Sequence, residues 1–366
     1  MLSKGRAGDQ IIFLIVMILM GLGLVMVYSA SALVAEGSRY QVSSFYFLKK
    51  QALYVGLAIV VLLAASAIPY QWWRNKSYVI LITSFILLTL VYIPFLGKRA
   101  GGALRALKLA GFSFQPAEFA KFALLLYLAH FLTKKSALIT DMKAIFLPLC
   151  IVFSISLLLI LKQPDLGTSV LVVAVAIAMI FAAGARKRHL IGFGLLSLIV
   201  FIGMIRIFDY QRQRIEAFLD PWKDPQGSGY HIIQSLSALG AGGWFGLGLG
   251  QGIQKRGYLP EAHTDFIFSV IGEELGLVGT LVVLALFAIF IWRGLRISQR
   301  SKDPFARSLA LGITCLIGLQ ALINMGVTVH LLPTKGLPLP FVSFGGSSLI
   351  ISALTAGILL NISQHT

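Results

Sequence analysis

The sequence predicts an all-α polytopic membrane protein, and three observations carry that prediction. Of 366 residues, 57% are hydrophobic and only 12% are charged, with a mean hydropathy of +0.86, a composition that excludes an ordinary soluble domain. Apolar runs long enough to cross a bilayer recur from one end of the chain to the other. The net charge is +17, yet the basic residues sit in short clusters between the apolar runs. That pattern argues against nucleic acid and for anionic lipid or an anionic substrate.

Ten spans are expected, at 11–32, 50–69, 77–96, 115–132, 143–162, 165–184, 189–208, 265–292, 306–330 and 342–361. The first has no small-residue cleavage site after a short core, so it reads as a retained span rather than a signal peptide. An even number of spans puts both termini on one side. Lys4 and Arg6, then Arg74 and Lys76, Lys134 and Lys135, Arg186 to Arg188, and Arg293 to Lys302 share that side, which the positive-inside tendency makes cytoplasmic. Residues 1–366 read as one membrane domain, with 209–264 as its long extracytoplasmic loop. That loop is rich in glycine, and its IIQSLSAL segment reads as a short helix lying at the interface, with Trp222 and Trp244 as anchors. Cys150 and Cys315 both lie in apolar runs and suggest neither a disulfide nor a metal site.

Ionisable groups inside such a chain are expensive and normally face protein or a wet cavity. The topology gathers several of them toward the outer leaflet. In FQPAEFAK, Pro116 suits a first helical turn, and Glu118 and Lys121 are three apart on one face; they read as a buried pair or as part of a site. Asp165 opens one span in QPDLGTS and Asp265 opens another in TDFIF, where each serves equally to cap a helix start. Glu273 and Glu274 lie roughly 12–14 Å deeper by helical rise and suit packing between spans. Glu261, His263 and Asp265 occupy alternate positions and could share a divalent ion, Mg2+ or Mn2+, only if that segment is extended. Arg99, Arg105 and Lys108 sit in a basic outer loop, and Lys335 sits in a proline-stiffened turn, LLPTKGLPLPF. These cations read as a clamp for a diphosphate, or as interfacial anchors and a structural turn.

Taken together, MVYSAS, FSFQPAEFAK, QPDLGTS, FLDPWKDPQGSGY, QSLSALGAGGWFGLGLG, YLPEAHTDFIFSVIGEELG and LPTKGLPLPFVSFGGSS resemble the SEDS family of shape, elongation, division and sporulation proteins across nearly the whole chain. PEAHTDFIFSVIGEELG and LPTKGLPLPF are closer to the division branch than to the elongation branch. One departure stands out: Ala106 occupies a position where the family commonly carries tryptophan.

The resemblance implies a peptidoglycan glycosyltransferase at the outer face of the bacterial cytoplasmic membrane, at the division septum. It would polymerise lipid II onto an undecaprenyl-diphosphate-linked glycan, inverting the anomeric carbon. Asp265 matches the family's essential aspartate and would act as the base. Arg99, Arg105, Lys108, Lys121 and Lys335 would meet the diphosphate, with Glu118, Asp165, Glu261, His263, Glu273 and Glu274 supporting the cavity. A class B penicillin-binding protein and other divisome proteins would be the partners. A lipid II flippase is the rival reading, as is an elongation-type polymerase.

Overall fold

The computed structural model describes residues 8–37, 45–100, 103–109, 112–136, 147–186, 191–192, 194–195, 198–199, 201–203, 206, 209–255 and 257–366. Half of the expected span at 189–208 lies outside the described residues.

The protein is a helical bundle. Among the described residues the helices with full bounds are α1 (Gln10–Gly37), α2 (Tyr46–Ala67), α3 (Tyr70–Leu90), α4 (Pro116–Lys134), α5 (Leu147–Leu161) and α6 (Leu166–Ala182), then α7 (Asp209–Leu219), α8 (Tyr230–Gly242), α9 (Ile267–Arg300), α10 (Pro304–Thr328) and α11 (Gly346–Ser363). Five of them, at Gln10–Ser31, Tyr46–Ala67, Ile267–Arg300, Pro304–Thr328 and Gly346–Ser363, are long and apolar enough to cross a membrane; α5 and α6 are apolar but shorter.

α4, α10 and α11 form the centre and are buried on most faces. α3 packs along α4, α9 along α10 and α2 along α11. Asp9 caps α1 by accepting from the amides of Ile11 and Ile12 (3.1 and 3.2 Å), and its other oxygen pairs with Arg293 of α9. The Asp9 amide also donates to Ser363 Oγ at 2.8 Å, so the start of α1 and the end of α11 lie at the same end of the bundle.

Three features depart from the sequence expectation. α3 begins at Tyr70 rather than near 77, because YQWWRNK continues the helix beyond its apolar part, which hydropathy alone cannot see. Where a basic loop is expected, three strands form a small antiparallel sheet: β1 (Gly97–Ala100), β2 (Ala103–Leu109) and β3 (Phe112–Phe114), in the order β1-β2-β3.

The third departure is in α9, which is broken at Gly276 (φ 68°, ψ −165°). A break there frees the carbonyls of Glu273 and Glu274 and the amides of Leu277 and Val278. The chain after α8 occupies the gap. Leu247 and Gly248 donate to the carbonyls of Glu273 and Glu274 (2.9 and 3.0 Å), while Leu277 and Val278 donate to those of Gly243 and Trp244 (2.9 and 3.1 Å). A Cβ on Gly276 would lie 2.3 Å from the Gly246 nitrogen, so both the left-handed φ and the close approach require glycine.

Candidate active site

The site forms where the start of α9, the α10–α11 loop, the start of α6, β2 and α7 converge. Asp265 stands just before α9, and the chain that carries it is tied down at three successive carbonyls. His263 O accepts from the Phe344 amide (2.9 Å), Thr264 O from Ser343 Oγ (2.6 Å), and Asp265 O from Asn324 Nδ2 (2.8 Å). Across from it runs Thr334-Lys335-Gly336. A Cβ on Gly336 would lie 3.1 Å from Asp265 Oδ2, so glycine lets the loop approach the carboxylate.

Thr334 O accepts from Arg214 Nη1 of α7 (2.9 Å). Lys335 rests its Cβ side on α6, where a Cβ on Gly167 would meet it at 3.3 Å. Its ammonium lies 5.2 Å from the centre of the Phe201 ring.

The electrostatics separate the groups. Asp265 as a residue is half-buried, and the surrounding walls strip most of the hydration from its carboxylate. That desolvation, with repulsion from Glu261, pushes it up to about 7 against the pull of Arg214. Among the described residues no side chain hydrogen-bonds this carboxylate. Lys335 is pushed down to about 8 by burial and then by the Arg214 charge. A proton-accepting carboxylate and two like charges are thus held at one mouth, an arrangement suited to receive an anion.

The other expected residues fall into place around this mouth. Arg105 is the extra residue of a β-bulge, since Lys98 pairs with Ala106 and Arg99 with Leu104. The bulge turns its guanidinium onto the QPD turn, where Nε donates to Gln163 O (2.8 Å) and Nη2 to Pro164 O (2.7 Å). Asp165 in that turn caps α6, accepting from the Thr168 amide (3.0 Å) and hydroxyl (2.8 Å). Lys108 is exposed on β2, and Ala106 is buried beside it. Arg99 lies in β1, with its side chain outside the described residues.

Lys121 is 3% exposed and points into the bundle, paired with Glu118 (2.9 Å) and donating to Gln320 Oε1 (2.7 Å). Its charge is engaged there rather than at the mouth. Glu261 is exposed, with φ 55°, and holds Thr264 Oγ1 at 2.7 Å. His263 packs against the rings of Phe47 and Phe344 (4.9 and 5.6 Å), and burial lowers its imidazole below the usual range. Residues 260–266 turn rather than extend, so Glu261, His263 and Asp265 do not meet the condition on which a shared Mg2+ or Mn2+ site rests. Among the described residues no three His, Cys, Asp or Glu side chains assemble to hold a metal.

Glu273 and Glu274 are fully buried and serve the strap in the α9 break. Glu274 pairs with Lys255 (2.6 Å) and accepts from Ser29 of α1 (2.7 Å) and the Gly250 amide (3.1 Å). Glu273 Oε1 accepts from the amides of Ile253 and Gln254 (2.7 and 3.0 Å). Sequence reasoning missed Arg214, Lys255 and Asn324. Arg214 sits in the polar run QRQRI with nothing to mark it, and Lys255 meets Glu274 only through the strap.

Residues 9–366 match the model of the FtsW/RodA/SpoVE family, described as cell cycle proteins. The chain belongs to that family. Among the members it resembles is a probable peptidoglycan glycosyltransferase FtsW of Geobacter sulfurreducens, 48% identical over 357 residues that cover 98% of this chain and 95% of the relative. Stage V sporulation protein E of Bacillus subtilis is 43% identical over 368 residues, covering all of both chains. Two solved structures of similar fold are a chain from a peptidoglycan synthase complex that coordinates polymerization and crosslinking (28% identity, TM-score 0.79, 98% of each chain) and the rod shape determining protein RodA of Thermus thermophilus (26%, 0.71, 98% of this chain and 97% of that one). Family membership and the apolar helices make this a multi-pass membrane protein.

Proposed function

We propose that this chain is a peptidoglycan glycosyltransferase that polymerises lipid II at the outer face of the cytoplasmic membrane. The observation that carries the reading is the close approach of the Lys335–Gly336 loop to Asp265, where a Cβ on Gly336 would lie 3.1 Å from Oδ2, with Arg214 pulling on a carboxyl that burial raises to about 7. The names borne by its relatives support it. Orientation rests on the positive-inside tendency and on Asp9 meeting Ser363, which suits an even number of crossings, ten in this reading, with both ends cytoplasmic. The Asp265 mouth then faces outward.

Asp265 takes the proton from the C4 hydroxyl of the acceptor, lipid II, as that oxygen attacks the anomeric carbon of the donor glycan. The bond to undecaprenyl diphosphate breaks on the opposite face, so the α linkage becomes β. Lys335 and Arg214 receive the charge developing on the diphosphate. Arg105 acts on the same mouth by holding the QPD turn in place. Closer likeness to division-named relatives favours a septal role over an elongation one. The synthase complex among its structural neighbours favours a crosslinking partner, a class B penicillin-binding protein, within the divisome.

Transport is the rival reading, since it too calls for polar residues within the spans, and Glu273 and Glu274 are the deepest of the expected site acids. Their engagement by Lys255, Ser29 and the strap amides leaves the strap, rather than a polar path, as their setting. Purified protein with its partner in lipid II liposomes decides between the two: polymer without movement of lipid II between leaflets supports the proposal, and movement without polymer overturns it.

A further inference from the structure

We infer that Asn324 is a positioning residue that sets the distance between the base and the cationic loop, an inference that rests on the proposed glycosyl transfer. Its side chain is 2% exposed, and its single amide nitrogen donates to Asp265 O and to Leu337 O, both at 2.8 Å. One planar group with two donors therefore staples the segment carrying Asp265 to the segment carrying Lys335 and Gly336. One turn earlier on the same face of α10, Gln320 Nε2 donates to Pro338 O at 2.8 Å. The Gln320 carbonyl is held in turn by Lys121, and Lys121 by Glu118.

Glu118 and Lys121 are thus the far end of a tether: α4 orients Gln320, and α10 presents two amides that fix the backbone at 337 and 338. The Ser343 and Phe344 bonds to Thr264 and His263 hold the other flank. Asn324 bonds the residue carrying the carboxylate itself, whereas Ser343 Oγ joins the neighbouring Thr264 O to the Leu339 amide (2.6 and 2.8 Å) farther along the loop. Glycosyl transfer needs acceptor oxygen, base and leaving diphosphate in register, and a misplacement of about 1 Å costs on the order of 100-fold. An amide is the suitable group: aspartate would set oxygens against two carbonyls, and leucine of similar size would leave both carbonyls unpaired.

The test compares Asn324→Ala with Asn361→Ala. Asn361 is a second buried asparagine with two backbone bonds, from the Tyr70 amide (3.0 Å) and to Ser66 O (2.8 Å), in a different part of the bundle. For Asn324→Ala, kcat for lipid II polymerisation should fall roughly 30–100-fold with KM changed less than about threefold. The acid limb of the pH profile should move down, because a loosened Asp265 regains water. Hydrogen exchange at 263–266 and 337–344 should quicken. Asn361→Ala should lower thermal stability comparably while keeping the wild-type pH limb and the exchange at both segments.

A wild-type pH limb and kcat in folded Asn324→Ala overturn the inference, even if exchange quickens, and so does unchanged exchange at the two segments. If the wild-type protein makes no polymer, the proposed function falls, and exchange still decides whether Asn324 holds the two segments together.

Discussion

Asp265 and Glu274 belong to one acidic stretch of sequence, yet the structure treats them in opposite ways. Glu274 is fully buried and engaged by a lysine, a serine and a backbone amide. Asp265 is half-buried as a residue, and its carboxylate takes no side-chain hydrogen bond among the described residues, while its backbone is fastened on every side. A carboxylate that holds structure spends its lone pairs. One that accepts a proton must keep them free, and its placement has to come from the main chain. The contrast extends to their surroundings: Lys255 meets Glu274 at 2.6 Å, whereas desolvation makes ionised Asp265 costly.

The largest effect should come from removing the free lone pairs. Asp265→Asn is expected to lower polymerisation by about 100- to 10,000-fold, the usual range for a general base, in protein that still folds. The raised value of Asp265 adds a test by sign. Folded protein binds this proton more tightly than unfolded, so the group favours the native state at low pH and loses that contribution as pH rises through about 7. Asp265→Asn should therefore melt above wild type at pH 8, by less at pH 5, and converge with it only below about pH 4.

Glu274→Gln should instead destabilise the fold. Leaving Lys255 buried without its partner is expected to cost roughly 3–5 kcal/mol, read as a large drop in melting temperature in detergent. Equal melting of Glu274→Gln and wild type would erase the distinction between the two acids.

Lys335→Ala should weaken use of the diphosphate-linked substrate roughly 10- to 100-fold, the scale of one charge-assisted contact, with little loss of folded protein. Its value of about 8 predicts that kcat/KM declines as pH rises past 8 and that this decline disappears in the variant. The smallest effect should be at Arg212, whose pair with Glu216 is exposed on both sides. Arg212→Ala should change stability by less than about 1 kcal/mol and leave polymerisation intact.

What could be read from the sequence followed what is local. Helices at nine expected spans, Pro116 at a helix start and the i,i+3 pair Glu118–Lys121 all depend on neighbours in the chain. The break at Gly276 was hidden because GEELGLVG stays apolar enough for a continuous helix, and the groups that make the break tolerable come from 243–248. The sheet was hidden because RAGGALRALKLAG mixes small, basic and apolar residues without clean alternation. The bulge that redirects Arg105 follows from pairing between strands. Within the site, Asp265, Lys335 and Arg105 stood out as charges in costly places, while Arg214 and Asn324 are ordinary until the fold sets them against Thr334 and Asp265.

The most direct test of a free, desolvated base is the pH dependence of kcat/KM for lipid II polymerisation by the wild-type protein with its partner. The account predicts a rate that climbs about tenfold per pH unit below a midpoint near 7, with no such limb in the residual activity of Asp265→Asn. A flat profile from pH 5 to 8, or the same limb in Asp265→Asn, would contradict it.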